Sequence, residues 1–205
     1  ILILSEGHQV GGKLELSNIH QAIINAYADK ERTSGRHVLS LCNDLARYYR
    51  TLCIEYIWKV DDDLNWCTRN LKLRHSRKFW YFSNLISIVR LAQENPRGKD
   101  DYVNSLMDIF DTPPWARLYE AMHKSQPIEL GRLLESYSYF LEFMSEQANR
   151  DNLNDIKYEK RYEISKDNPF PALKFNSDRL HQNMIALLEG MNPTMRNRVI
   201  DWFLL

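Results

Sequence analysis

A mostly α-helical bundle is what this sequence predicts, and three observations predict it. Seven Gly and seven Pro in 205 residues leave little turn-forming material for a many-stranded sandwich. Apolar residues recur three and four positions apart along several stretches, the period of a helix rather than a strand. With 44% hydrophobic and 12% aromatic residues, the chain can bury a core at this length, and one domain is expected.

Residues 1–4 are four aliphatics stopped by Ser5, Glu6 and Gly7, which suits the end of a buried strand or the last turn of a helix. Residue 1 is isoleucine, so residues 1–12 read as the tail of a preceding, missing domain and 13–205 as the helical domain. Gly11 and Gly12 make a turn, Ser17 caps, and Ile19, Ile23, Ile24 and Tyr27 mark a first amphipathic helix that ends at Thr33-Ser34-Gly35. From His37 onward Leu41, Leu45, Tyr48, Leu52 and Tyr56 step by 4, 3, 4 and 4, the stripe of a core-facing helix with a polar opposite side.

Asp61, Asp62 and Asp63 supply a cap and first-turn acids for a long helix over residues 64–90, with Leu71, Phe79, Phe82, Ile86 and Val89 inward. Asn95-Pro96-Arg97-Gly98 breaks the chain. A short helix over 102–110 stops at Thr112-Pro113-Pro114, because proline lacks an N–H and fixes φ, and another runs over 115–123. Pro127 opens a helix whose inward face is Leu130, Leu133, Leu134, Tyr137, Phe140, Leu141 and Met144. The polar segment 146–170 reads as a mobile, solvated loop or a helix extension. Ser177 is the expected cap of a helix through Glu189 with Gly190 as a left-handed stop, and Pro193 starts the last one.

Lys+Arg and Asp+Glu both number 27, so no global field steers the chain toward nucleic acid or an anionic membrane. Cys42, Cys53 and Cys67 are odd in number and form no C-x-x-C pair, which points to a reducing, cytoplasmic setting without a zinc site. No stretch of about 18 apolar residues exists to cross a bilayer. P-loop, dinucleotide and nucleophile-elbow motifs are absent, and no histidine pair has metal-ligand spacing. Capping explains Asp61, Asp62 and Asp63 better than Mg2+ binding, since no phosphate-cradling Gly-Ser turn precedes them.

The densest chemical feature is Arg69-Asn70-Leu71-Lys72-Leu73-Arg74-His75-Ser76-Arg77-Lys78, five cations and a histidine with no acid among them. Such a run can grip a phosphate through several charge-assisted bonds, or it can be a solvated face paired with acids elsewhere. The preceding helix carries Asn43, Arg47 and Arg50 beside Asp44 and Glu55, a second polar stripe that suits a ligand or a structural network. Asn43, Arg47, Arg50, Arg69, Lys72, Arg74, Arg77 and Lys78 are the candidate phosphate or substrate ligands. No catalytic or metal-binding residue is assigned.

Arg69 and His75 also satisfy the loose R-x4-6-H spacing that resembles helical HEPN ribonucleases. In such a pair the histidine moves a proton at the 2′-hydroxyl and the arginine stabilises the phosphorane. More extensively, N-D-x-x-R-Y-x-R-T at residues 43–51 and K-L-R-x-S-R-K at 72–78 resemble the helical C-terminal region of uncharacterised bacterial nucleotidyltransferase-like proteins. The opening Ile-Leu-Ile-Leu-Ser-Glu-Gly resembles the end of their catalytic half. That resemblance covers about the first 95 residues and implies an accessory, substrate-binding role. Mg2+, a nucleoside triphosphate and the catalytic acids would belong to an upstream domain. A ribonuclease acting on RNA and a non-enzymatic helical interaction module are the alternatives.

Overall fold

The computed structural model describes residues 1–7, 10–11, 15–30, 39–60, 65–94, 98–154, 156–165 and 167–204. The readings at Gly12, Thr33-Ser34-Gly35, His37, Asp61, Asp62, Asp63 and Asn95-Pro96-Arg97 lie outside those residues. The fold is mostly α, as expected, and the described residues contain no strand. No helix among them is long and apolar enough to cross a membrane.

In chain order the helices are α1 (Leu2–Glu6), α2 (Leu16–Lys30), α3 (Leu39–Val60), α4 (Trp66–Lys72), α5 (Lys78–Glu94), α6 (Lys99–Asp111), α7 (Pro114–Met122), α8 (Pro127–Ser145), α9 (Gln147–Asn154), α10 (Pro169–Glu189) and α11 (Pro193–Val199). A π-helical turn, Leu73–Arg77, joins α4 to α5, and another, Ile200–Leu204, follows α11. The single domain expected over 13–205 resolves into two compact units, one of Ile1–Tyr48, Ser83–Ala121 and Asn192–Leu205, the other of Tyr49–Phe82 and Met122–Met191.

In the first unit residues 2–6 form a helix, so the strand alternative for the opening aliphatics is set aside. Leu4 is buried, and the His20 ring ties α1 to α2 and α6. Its Nε2 lies 3.1 Å from the Ile3 carbonyl oxygen and its Nδ1 3.4 Å from Asp111 Oδ1. The Tyr27 hydroxyl of α2 donates to Asp44 Oδ2 of α3 at 2.7 Å. Burial of that phenol and its hydrogen bond to the carboxylate push its pKa up. Leu41, Leu45, Ile86, Val89, Leu106 and Leu118 are fully buried, which accounts for the apolar stripes of four helices.

The second unit centres on Trp66, Cys67, Leu71, Phe140, Leu153, Phe170 and Leu173. Trp66 packs edge-on against Tyr158 and Phe170, and its indole N–H donates to the Ile156 carbonyl at 2.7 Å. Within the segment 146–170, residues 147–154 form the helix α9 rather than a loop, and Leu153, Ile156, Tyr158 and Ile164 pack on the core. Composition hid this because a few apolar residues among many polar ones suffice to tie down a segment.

Four further expectations are corrected. Helix α2 begins at Leu16, so Ser17 lies inside it. Helix α10 begins eight residues before Ser177. Asn168 Oδ1 accepts from the Phe170 N–H at 2.9 Å, and Pro169 and Pro171 sit in the first turn, where backbone N–H groups have no partner inside the helix. Gly190 has an ordinary right-handed φ of −75°, so left-handed freedom does not explain it. A Cβ there would collide with the Gln126 side-chain carbonyl. On α8, Leu141 is 46% exposed, because it lies one residue beyond buried Phe140 and a helix turns about 100° per residue.

Candidate functional site

The basic stretch falls on the π turn, where the Lys78 N–H reaches back to the Leu73 carbonyl, five residues earlier. A π turn shifts the register of every face beyond it, and such turns recur at functional sites. Arg74 is anchored to α10. Its Nε donates to Ser177 Oγ at 2.7 Å and its Nη2 to Asp178 Oδ1 at 2.6 Å, which fixes the guanidinium against α10. Such charge-assisted bonds are strong and directional.

Lys78 shares this neighbourhood. Burial first, and then the positive charge of Arg74, hold its ammonium below the ordinary lysine pKa, while Asp178 opposes the shift. His181, one turn beyond Ser177 on α10, is likewise held below its usual value by burial and by Lys78 and Arg74, so its neutral form is favoured. From α3 come Tyr49 and Cys53, whose side chains hydrogen-bond each other, and the Tyr49 ring stacks on Tyr81 with centroids 4.7 Å apart. Burial and the contact with Cys53 push the Tyr49 phenol up. The site is a patch of two half-buried cations, an exposed carboxylate, an exposed imidazole whose neutral form is favoured, and an aromatic wall.

The other sequence candidates are placed differently. Asn43 and Arg47 are exposed residues of the first unit. Arg47 is 71% exposed and 3.9 Å from Asp44 on its own helix. Arg50 and Lys72 are exposed in the second unit, whereas Arg69 and Arg77 are half-buried. Burial lowers the Arg77 pKa. The fold brings Arg74 and Lys78 of the run into one electrostatic neighbourhood with Asp178.

His75 is fully buried. Its ring stacks on Phe140 with centroids 4.1 Å apart and planes 4° from parallel. Because Nδ1 lies 2.9 Å from the Leu71 carbonyl and Nε2 lies 3.2 Å from Asn176 Nδ2, the imidazole donates through Nδ1–H and accepts at Nε2. Burial, followed by the Arg74 and Lys78 charges, holds it down to about 4. A proton-transfer residue must touch its substrate. In the Arg69–His75 pair read as a ribonuclease signature, the histidine is neutral and enclosed by the core, with both nitrogens already used.

Sequence reasoning did not single out Ser177, Asp178, His181, Tyr49, Cys53 or Tyr81 as parts of the site. A signal existed, since residues 49, 53 and 56 and residues 74, 78 and 81 both step by four and three. What paired those faces was tertiary. Among the described residues no group of three or more His, Cys, Asp and Glu side chains is placed to hold a metal ion. No protein family, curated protein or solved structure matches the chain.

Proposed function

We propose that this chain is a helical substrate-gripping module that works with a preceding nucleotidyltransferase domain, and that Arg74 and Lys78 hold the phosphates of a nucleotide or acceptor. The observation that carries this reading is the half-buried Arg74–Lys78 pair, in which burial first and then the charge of Arg74 hold the Lys78 pKa down while Asp178 opposes the shift. A phosphate brought between such cations relieves their repulsion and replaces water with charge-assisted bonds. Tyr49 and Tyr81 supply flat apolar surface beside it, and both cations belong to the K-L-R-x-S-R-K segment that carries the resemblance. The catalytic acids and Mg2+ would come from the preceding domain, where the metal would neutralise developing phosphate charge.

Calorimetric titration of the chain with ATP, GTP, CTP and UTP tests this. At least one should bind, Lys78→Ala should weaken it about tenfold, and Asp178→Asn should tighten it by removing a negative charge beside the pair. Absence of binding, or binding indifferent to both changes, would overturn the proposal.

A further inference from the structure

The first unit contains a separate cavity of about 250 Å3 where α5, α6 and α7 converge. Each helix turns one face to it at steps of three and four: Ser87, Arg90 and Glu94 on α5, Ser105 and Asp108 on α6 with Thr112 at its C-terminal cap, and Arg117 and Glu120 on α7. We propose that this cavity binds a small zwitterion of the amino-acid class, its carboxylate held by Arg117 and Ser87 and its ammonium by Asp108.

The inner end is built for an anion. Arg117 is 4% exposed, yet no carboxylate pairs with it among the described residues. Its Nε and Nη2 donate to the Thr112 carbonyl at 3.0 and 2.7 Å, and its Nη1 donates to Asn84 Oδ1. Five N–H donors belong to a guanidinium, so one on each terminal nitrogen is left over. Burial alone lowers the Arg117 pKa to about 10, far too little to discharge it at neutral pH. On the same lining Ser87 is 5% exposed, and its hydroxyl has no hydrogen-bond partner among the described residues. Buried polar groups are nearly always satisfied, so an unpartnered hydroxyl and an unneutralised guanidinium in one cavity point to a bound oxyanion.

The outer end has the opposite character. Asp108 is exposed and makes no side-chain ion pair among the described residues, and Glu120 also lines the cavity. The Ser105 hydroxyl spends its hydrogen on the Asp101 carbonyl at 2.8 Å, and Thr112 spends its own on the Asp108 carbonyl at 2.7 Å. Both hydroxyl oxygens therefore face the cavity only as acceptors. Arg90 is occupied by Glu94 Oε1 at 3.0 Å and by the Glu120 carbonyl. A simple anion would be repelled by this mouth and a simple amine by Arg117, whereas a zwitterion satisfies both ends. The volume is below the usual range for drug-sized ligands, which suits a metabolite of amino-acid size.

The test is a thermal-shift and calorimetric screen of the intact chain against the twenty standard amino acids. Acetate, inorganic phosphate and ethylamine serve as one-ended probes. At least one amino acid should raise the melting temperature and bind more tightly than any one-ended probe. Ser87→Ala removes a hydroxyl that supports nothing in the free protein, so it should leave the free melting temperature unchanged or higher while weakening binding about tenfold. Asp108→Asn, a change at an exposed position, should weaken binding by a similar factor and leave the fold intact. The proposal is overturned if no amino acid binds, if acetate, phosphate or ethylamine binds as well, or if both variants bind like the parent.

Discussion

His75 in the second unit and Arg117 in the first are both nearly inaccessible polar side chains, and the fold treats them in opposite ways. Around His75 each ring nitrogen has a partner, the ring is stacked on Phe140, and the imidazole is neutral. Even its partner is provided for, because Asn176 also donates to the Ser136 carbonyl at 2.8 Å. Around Arg117 the charge remains, no acid answers it among the described residues, and Ser87 and Asn84 each keep a polar atom without a partner. Burial alone therefore does not mark a functional residue. The distinction lies in whether the surrounding hydrogen-bond inventory closes, and it closes at His75 but not in the cavity beside Arg117.

That contrast can be attacked at its strongest point first. His75→Ala should destabilise the protein by about 3–5 kcal/mol, because it leaves a cavity against Phe140 and strips Asn176 of an acceptor. Urea unfolding followed by tryptophan fluorescence reads this, and a loss under about 1 kcal/mol would mean that the closed network contributes little.

A somewhat smaller effect comes from acid. The folded pKa of His75 lies near 4 against 6.5 when unfolded, so between those values the unfolded chain binds more protons. Its contribution is complete above pH 6.5 and falls as the pH drops toward 4, by about 3 kcal/mol at the lower end. His75→Leu should remove this part of the pH slope while other groups keep theirs.

The smallest effect belongs to the open network. Ser87→Ala should change stability by less than about 1 kcal/mol, or raise it, since the hydroxyl lost there had no partner in the protein. Melting curves of the two alanine variants side by side would show whether the polar centres differ as described. A large loss from Ser87→Ala would erase the distinction.

Much of the helical framework was legible in the residues themselves. Leu71, Phe79, Phe82, Ile86 and Val89 are all buried, as the 3.6-residue period requires, and Pro127 opens α8 as its missing N–H allows. The start of α10 is hidden because Ser177 looks like a cap in sequence, while Asn168 and Pro169, which open the helix, fall at the end of the polar segment 146–170. On α3 the outer side carries Ile54, Ile57 and Trp58, all more than half exposed, where a polar face was expected. Of the candidate site, Arg74 and Lys78 were visible as members of a basic run. Their partners Ser177 and Asp178 lie about a hundred residues away, and no local pattern joins them.

By itself the sequence determined the helical class, most of the inward faces, and the presence of a strongly basic segment. These follow from local periodicity and charge, which each helix carries along its own length. Only the tertiary structure decided which cation is pinned, which histidine is sealed in the core, and which arginine is buried without an acid. Desolvation and hydrogen-bond closure depend on groups brought together from distant positions in the chain. The same residue types therefore form a closed core at His75 and an open cavity at Arg117.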